Sequence, residues 1–397
     1  MSKSVAVVGA GAAGLVAAAF AAATGVAVTL IERTKDGGRK ILISGGGRCN
    51  VLPSVLAPER FVTDSPTHLL RAMLRAWPLH EQRAFFEQQL GIPLKLEQES
   101  GKLFPQSDRA RDVRDALVAF ARSQGVQMRF ETSVTGIATS PAGFSLETSS
   151  GDIQGERVIL ATGGLSVPAT GSDGTGLRIA KHFGHALADT YPALTPLLDD
   201  SGRHAGLSGL SVNVRLRSKD GGRDIETSGG FLFTHRGYSG PSVLDISHVT
   251  ARGDLPSVRA QWATLTAEEL TGQDELVASI LSRKIPARLA ERLLLECGIP
   301  LDRRTSSLKR GERNALVETV TSYALPWSGN EGYKKAEVTG GGVALTEVGP
   351  KSLESRRVKG LYLCGEMLDA FGPIGGHNFA WAWSTGRAAG VAAGTFA

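Results

Sequence analysis

Residues 4–32 read SVAVVGAGAAGLVAAAFAAATGVAVTLIE, and their order decides the fold. Val5 to Val8 is a short apolar run of the kind that forms a strand covered on both faces. Gly9, Ala10, Gly11, Ala12, Ala13 and Gly14 follow at once as G-x-G-x-x-G. Ala17 to Ala23 continue as a helix that Thr24 and Gly25 end, and Ala27 to Ile31 make a second strand closing on Glu32. Each glycine has a mechanical task. Gly9 permits the tight turn, Gly11 lets a pyrophosphate approach the backbone, and Gly14 lets the helix pack close to the strand. The helix N-terminus then faces the phosphate charge. Glu32, 18 residues past Gly14, stands where a carboxylate accepts from ribose hydroxyls and disfavours a 2′-phosphate, so the tightly held dinucleotide is FAD or NAD rather than NADP. The 28 uncharged residues between Lys3 and Glu32 are long enough to span a bilayer, and small residues around Ala21 could pass for a signal-peptidase site. Richness in Ala and Gly, and the division into strand, turn, helix and strand, argue against both.

Working outward, Gly37, Gly38, Arg39 and Lys40 precede an apolar stretch and then Ser44, Gly45, Gly46, Gly47, Arg48, Cys49 and Asn50. Three consecutive glycines beside a fixed cation offer backbone amides that can wrap pyrophosphate or lie along a flat ring; the alternative is a flexible surface loop. Val158 to Gly164 form another apolar strand ending in the small-residue turn Ala161, Thr162, Gly163, Gly164. Gly360 to Glu366 repeat the pattern of strand then turn through Cys364 and Gly365. From Phe379 to Ala393 a helical pattern carries only Arg387 as a charge, which predicts a buried helix opening at Gly375 to Asn378 with its free amides and positive dipole end facing a ligand. Cofactor contacts are therefore expected at Gly9, Gly11, Ala12, Ala13, Gly14, Glu32, Arg33, Lys40, Ser44, Gly45, Gly46, Gly47, Arg48, Cys49, Asn50, Val134, Ala161, Thr162 and Gly163, and in the turn at position 364, Cys364.

The middle of the chain reads as an insertion. Short strands are predicted at Ser211 to Leu216, Phe231 to Phe233 and Val258 to Trp262, with Asp220, Gly221, Gly222 as a hairpin signal. Thr266 with Glu269 makes a capping box, and helical patterns continue to about Leu325. The expected division is an FAD-binding domain over 1–190 and 330–397, a β-barrel substrate domain over 191–263 and a helical subdomain over 264–329. Thr234, His235, Arg236, Gly237 and Tyr238 follow an apolar strand; His235 and Tyr238 can donate or pass protons, although His235 can equally satisfy turn carbonyls. His377 has the same ambiguity, since a helix N-terminus would keep it neutral.

Composition limits the function classes. The chain has 397 residues, 42% hydrophobic and 21% charged, as in folded globular proteins. A net charge of +5 does not by itself indicate nucleic acid, though Arg283 to Arg313 holds nine Lys or Arg against four Asp or Glu. Usually such a stretch is a solvated face; alternatively it meets an anionic substrate such as RNA. Cys49, Cys297 and Cys364 are scattered and odd in number, which excludes a disulfide framework or a cysteine-rich metal site and fits a reducing cytoplasm. No second G-x-G-x-x-G provides a separate NAD(P)H domain, so a nicotinamide must dock transiently.

The segments Gly9 to Gly14, Lys40 to Asn50, Gly101 to Ser107, Ala161 to Gly164, Leu232 to Pro241, Ala336 to Gly342 and Gly365 to Gly386 together resemble the bacterial BaiN/RdsA-like NAD(P)/FAD-dependent oxidoreductases over nearly the whole length. Ser-Gly-Gly-Gly-Arg-Cys-Asn and Phe-Thr-His-x-Gly-x-Ser-Gly-Pro are the specific elements. The resemblance implies an α/β fold: a glutathione-reductase-like, Rossmann-type FAD-binding domain interrupted by a β-barrel or sandwich and a small helical subdomain. It implies a reductase of activated C=C bonds, such as steroid-type enones or the uracil ring of ribosomal RNA. His377, where an aromatic residue is frequent, and Phe371 to Ile374 depart from the commoner pattern. The expected activity is an FAD-dependent oxidoreductase, reduced by NAD(P)H and passing hydride from flavin N5 to an electron-poor C=C bond, with His235, Tyr238 or His377 as acid. The substrate is a small molecule or rRNA uridine; a non-catalytic, flavin-binding RNA-associated protein is the alternative. Neither a metal, a membrane nor a stable protein partner is expected.

Overall fold

Ser4–Val8 pairs in parallel with Ala27–Ile31 on one side and with Arg157–Leu160 on the other, placing Val8 between Ile31 and Leu160. Leu361–Leu363 extends the sheet beyond Arg157–Leu160, and Gln127–Arg129 extends it beyond Ala27–Ile31. The computed structural model describes residues 3–252, 257–271 and 274–395. In it the five-stranded parallel sheet gathers segments from both halves of the sequence. Parallel strands need crossovers, and the turns at their C-terminal ends converge on one edge, where α/β sheets bind ligands.

The helix Ala12–Ala22 is apolar on every side because it is buried on every side. One neighbour is the helix His377–Gly394, which meets it through glycines four residues apart. A Cβ on Gly386 would lie 2.4 Å from the Ala13 carbonyl oxygen, and one on Gly390 would lie 2.3 Å from that of Ala17. Trp381 and Trp383 on the same helix are buried, and their indole N–H groups donate to the carbonyls of Gly365 and Val51, each at 3.1 Å. Two small antiparallel sheets belong to the same unit: Leu52–Pro53, Lys102–Pro105 and Leu94–Glu97, and Val134–Ser140, Gly143–Thr148 and Ile153–Gly155.

The chain divides into two compact units, residues 1–192 with 337–397, and residues 193–336. In the second unit the strands form one seven-stranded antiparallel sheet, in the order Tyr323–Ala324, Arg259–Gln261, Ser211–Asp220, Arg223–Phe233, Gly237–Ser239, Leu197–Leu198 and Gly329–Asn330. Its long hairpin turns at Gly221 and Gly222, with φ of 52° and 84° and Asp220 facing Arg223, the two-residue turn that glycine alone adopts freely. Helices Pro241–Ile246, Val277–Ser282, Ala287–Glu296 and Arg310–Thr321 belong to this unit. Glu269 accepts from the Thr266 amide at 2.9 Å as the capping box requires, but only the short turn Glu268–Leu270 follows, and residues 272–273 lie outside the described set. No helix among the described residues is long and apolar enough to cross a membrane.

Candidate active site

The Gly9–Gly14 turn opens into a cavity of about 580 Å³ whose lining lies wholly within the first unit. Gly9, at φ +100°, donates its amide to the Ile31 carbonyl at 2.8 Å, and a Cβ there would sit 2.6 Å from the Ala161 oxygen. A Cβ on Gly14 would come within 1.8 Å of the Gly9 oxygen, so Gly14 shapes the turn without lining the cavity. Gly11 differs. A Cβ there would meet no protein atom within 4 Å, and the residue lines the cavity. The helix that starts after it has no side-chain cap, so its first amides are left for an anion.

Glu32 is held by its own strand end. One carboxylate oxygen accepts from the Ala10 amide at 2.8 Å, and the other from the Thr34 amide and hydroxyl at 2.9 and 2.7 Å. It also faces the cavity, with Val134 and its neighbours Thr132 to Thr135. Arg33 bonds to Asp173, a lining residue that motif reading does not reach.

Lys40 lines the cavity but is also a brace. Its ammonium donates to the Ser166 hydroxyl at 2.6 Å and to Glu366 at 2.7 Å, and Glu366 accepts in addition from Ser166 at 2.5 Å and the Thr339 amide at 3.0 Å. Gly45, Gly46 and Gly47 all have positive φ, between 55° and 85°, a run for which side chains are poorly suited. Ser44, Gly45, Gly46 and Asn50 line the cavity; Gly47, Arg48 and Cys49 do not. The expectation for the last three is corrected by where the loop sends them. Arg48 lies 4.0 Å over the Phe104 ring and pairs with Glu97 at 3.1 Å. Cys49 is fully buried, and burial pushes its thiol up to about 12.

Ala161, Thr162 and Gly163 line the opposite side with Ala12 and Ala13. Position 364 is corrected too: Cys364 is buried, with its thiol pushed up by burial to about 12, and Gly365 beside it is the lining residue. Gly375, Gly376 and Asn378 form the far end. Asn378 fixes that turn, its side-chain oxygen accepting from the Gly372 amide and its nitrogen donating to the Gly372 carbonyl, both at 2.9 Å. His377 is buried, faces Phe61 edge-on at 6.1 Å and is not among the lining residues. Burial first, and the charge of Arg60 second, bring its pKa down to about 4, so it is neutral.

The remaining two expected acids lie in the second unit. His235 is exposed at the turn after Arg223–Phe233. Tyr238 has no accessible surface; its hydroxyl donates to Asp199 at 3.0 Å and meets His204 Nδ1 at 2.8 Å. His204 Nε2 lies 3.1 Å from the Tyr323 hydroxyl, which donates to Glu296 at 2.7 Å. Burial would raise Glu296, but hydrogen bonds from His204, Tyr323 and Arg292 outweigh it and bring its pKa down to about 2. Burial, then the Asp199 charge, raises Tyr238 well above the ordinary phenol value, which suits a core network rather than a proton donor.

These residues fit an FAD. The bare backbone at Gly11 and the first amides of the following helix suit a diphosphate, Glu32 suits ribose hydroxyls, and Ser44–Gly46 with Gly375–Asn378 suit a flat ring. Among the described residues no cluster of His, Cys, Asp or Glu is placed to hold a metal ion. Glu337, Glu366, Asp173 and Phe379 are lining residues that motif reading missed; Glu337 and Glu366 lie within or beside the small-residue segments quoted above, which was the available signal.

Comparison with known proteins agrees. The sequence matches the family described as HI0933-like protein Rossmann domain over residues 3–392. It is 35% identical over 392 residues to the ribosomal RNA dihydrouridine synthase of Escherichia coli (strain K12), covering 96% of this chain and 95% of that protein. It is 31% identical over 408 residues to the 3-dehydro-bile acid delta(4,6)-reductase of Clostridium scindens, covering 98% of each. Among solved structures, the 3-ketosteroid-delta4-(5alpha)-dehydrogenase of Rhodococcus jostii RHA1 shares the fold at a TM-score of 0.53 and 17% identity, with 99% of this chain and 97% of that one covered. With its dinucleotide turn, its glycine-rich loop and its full-length match, the chain belongs to the HI0933-like Rossmann-domain family.

Proposed function

We propose that this protein is an FAD-dependent oxidoreductase that takes electrons from NAD(P)H and reduces an electron-poor C=C bond. The observation that carries this reading is the cavity that runs from the bare Gly11 backbone, past Glu32, to the uncapped helix start at Gly375–Asn378. Bound FAD would supply hydride transfer. The amides of Gly11 to Ala13 would hold its diphosphate, Glu32 its ribose, and the positive end of the His377–Gly394 helix would favour negative charge on the ring. The second unit is assigned substrate recognition, because the first is complete as a cofactor-binding unit.

Two relatives act on different compounds with a shared chemistry: dihydrouridine is uridine with its C5=C6 bond reduced, and a bile acid delta(4,6)-reductase reduces a C=C bond. The test is anaerobic addition of NADH, then NADPH, to the flavin-loaded protein while absorbance near ~450 nm is followed. Rapid bleaching is expected with at least one; no bleaching with either removes the nicotinamide from the reading. A second reading, reduction of rRNA uridine, is favoured by the 35% identity to the E. coli enzyme. Loss of dihydrouridine from rRNA on gene deletion supports it, and intact dihydrouridine counts against it.

A further inference from the structure

Five carboxylates line the cavity: Glu32, Asp36, Asp173, Glu337 and Glu366. Four are committed. Glu32 accepts from Ala10 and Thr34, Asp36 pairs with Arg39 at 2.7 Å, Asp173 with Arg33, and Glu366 with Lys40. Among the described residues, the Glu337 carboxylate has no hydrogen bond and no ion pair. Its backbone is nevertheless well anchored. The Glu337 carbonyl accepts from the Ser166 hydroxyl at 3.4 Å, and Thr339, two residues on, donates its amide to Glu366 at 3.0 Å.

The surroundings of Glu337 place it at the ring end. Lys102 and Lys40 are the cations that act on it. The side chain of Lys102 lies against Gly375, its Cε 3.2 Å from where a Cβ of that glycine would stand, and Lys40 is itself neutralised by Glu366. Glu337 keeps exposed surface where it lines the cavity, while the protein atoms packed around its carboxyl disfavour its charge. That desolvation outweighs both lysines and raises its carboxyl above the ordinary carboxylate value. A carboxyl raised, unpaired and open to a ligand cavity has the properties of a general acid.

We propose that Glu337 is the proton donor of the reduction. The π bond of the substrate opens; one carbon takes a hydride equivalent from the reduced cofactor, which is thereby oxidised, and the other takes the proton of the Glu337 carboxyl. The carboxylate then regains a proton from solvent. This inference rests on the flavin-dependent reading above.

The test separates the two. Flavin-loaded wild type, Glu337→Gln, Glu337→Asp and His235→Ala are reduced anaerobically with dithionite, which bypasses the nicotinamide. Each is mixed with 4-androstene-3,17-dione and, separately, with a uridine-containing RNA hairpin, and reoxidation is followed. Glu337→Gln should keep its flavin and its reduction by dithionite, yet reoxidise at least ~100-fold more slowly and without the wild type's fall in rate at alkaline pH. Glu337→Asp should recover part of the rate. Thermal melting provides a readout apart from turnover. The folded state holds the Glu337 proton more tightly than the unfolded chain does, so above pH 4.5 wild type should lose stability relative to Glu337→Gln as pH rises. Reoxidation of Glu337→Gln at the wild-type rate, or superimposable melting profiles, overturns the proposal, and a deficit confined to His235→Ala moves the acid to His235. Wild-type flavin that neither probe reoxidises overturns the reading of C=C reduction itself.

Discussion

At the scale of the residue, two glycines of one motif make opposite predictions. Ala at Gly14 would put a methyl 1.8 Å from a backbone oxygen, so the turn must move; a loss of more than about 2 kcal/mol and loss of bound flavin are expected. Ala at Gly11 meets no protein atom, and its φ of −75° suits any residue, so stability should stay within about 0.5 kcal/mol while flavin affinity falls. Thermal melts of flavin-free protein beside the flavin content of the purified variants separate the two. His377 makes a prediction in pH. Its folded pKa lies near 4, below the ordinary 6.5, so between those values the unfolded chain binds the proton and the folded one does not. Stability is therefore present in full above pH 6.5 and is lost as pH falls toward 4, by up to about 3 kcal/mol. His377→Phe should flatten that dependence in urea midpoints compared at pH 7 and pH 4.5. An unchanged profile would mean that His377 is solvated.

At the scale of the element, the pairing of helices Ala12–Ala22 and His377–Gly394 matters most, because the start of each forms one end of the cavity. Gly390→Ala gains about 1 kcal/mol of helix propensity. The new methyl stands 2.3 Å from the Ala17 oxygen, however, a rigid backbone contact, and overpacking of that kind costs 1–3 kcal/mol or more at roughly this severity. The contact wins, so the melting temperature should fall by a few degrees and flavin content with it; a rise would show that the helices can slide apart freely. The motif was legible here and the reason for the glycines was not. A charge-poor stretch from Phe379 to Ala393 announces a buried helix, but spacing does not say which helix covers it. The hairpin's turn was legible, since the positive φ at Gly221 and Gly222 is a property of the two residues themselves, but its strands, Ser211–Asp220 and Arg223–Phe233, run well past the predicted Ser211 to Leu216 and Phe231 to Phe233.

At the scale of the whole molecule, charge is the property that decides between substrates. Of the nine basic residues between Arg283 and Arg313, Arg283, Lys284, Arg292, Arg303 and Arg304 pair with carboxylates, and Arg288 donates to the Gly206 carbonyl. The side chains of Lys309, Arg310 and Arg313 have no carboxylate partner among the described residues. If single-stranded RNA is bound there, replacing these three by Ala should flatten the dependence of log affinity on log salt by about 2. An unchanged slope, measured by RNA titration between low and physiological salt, would move the RNA surface elsewhere or remove it.

The amino-acid sequence by itself determined the strand, glycine turn, helix, strand and acid of residues 4–32, the glycine run at 45–47 and the helix start at 375–378, because each depends on neighbours a few residues away. Only the tertiary structure decided which polar groups face the cavity. Lys40 meets partners 126 and 326 residues distant, Arg48 is drawn off by Glu97 and Phe104, Tyr238 is closed into a core network, and Glu337 is left without a partner. Backbone conformation follows from local sterics, but whether a charge is paired or free depends on which distant side chains the fold brings within hydrogen-bonding reach.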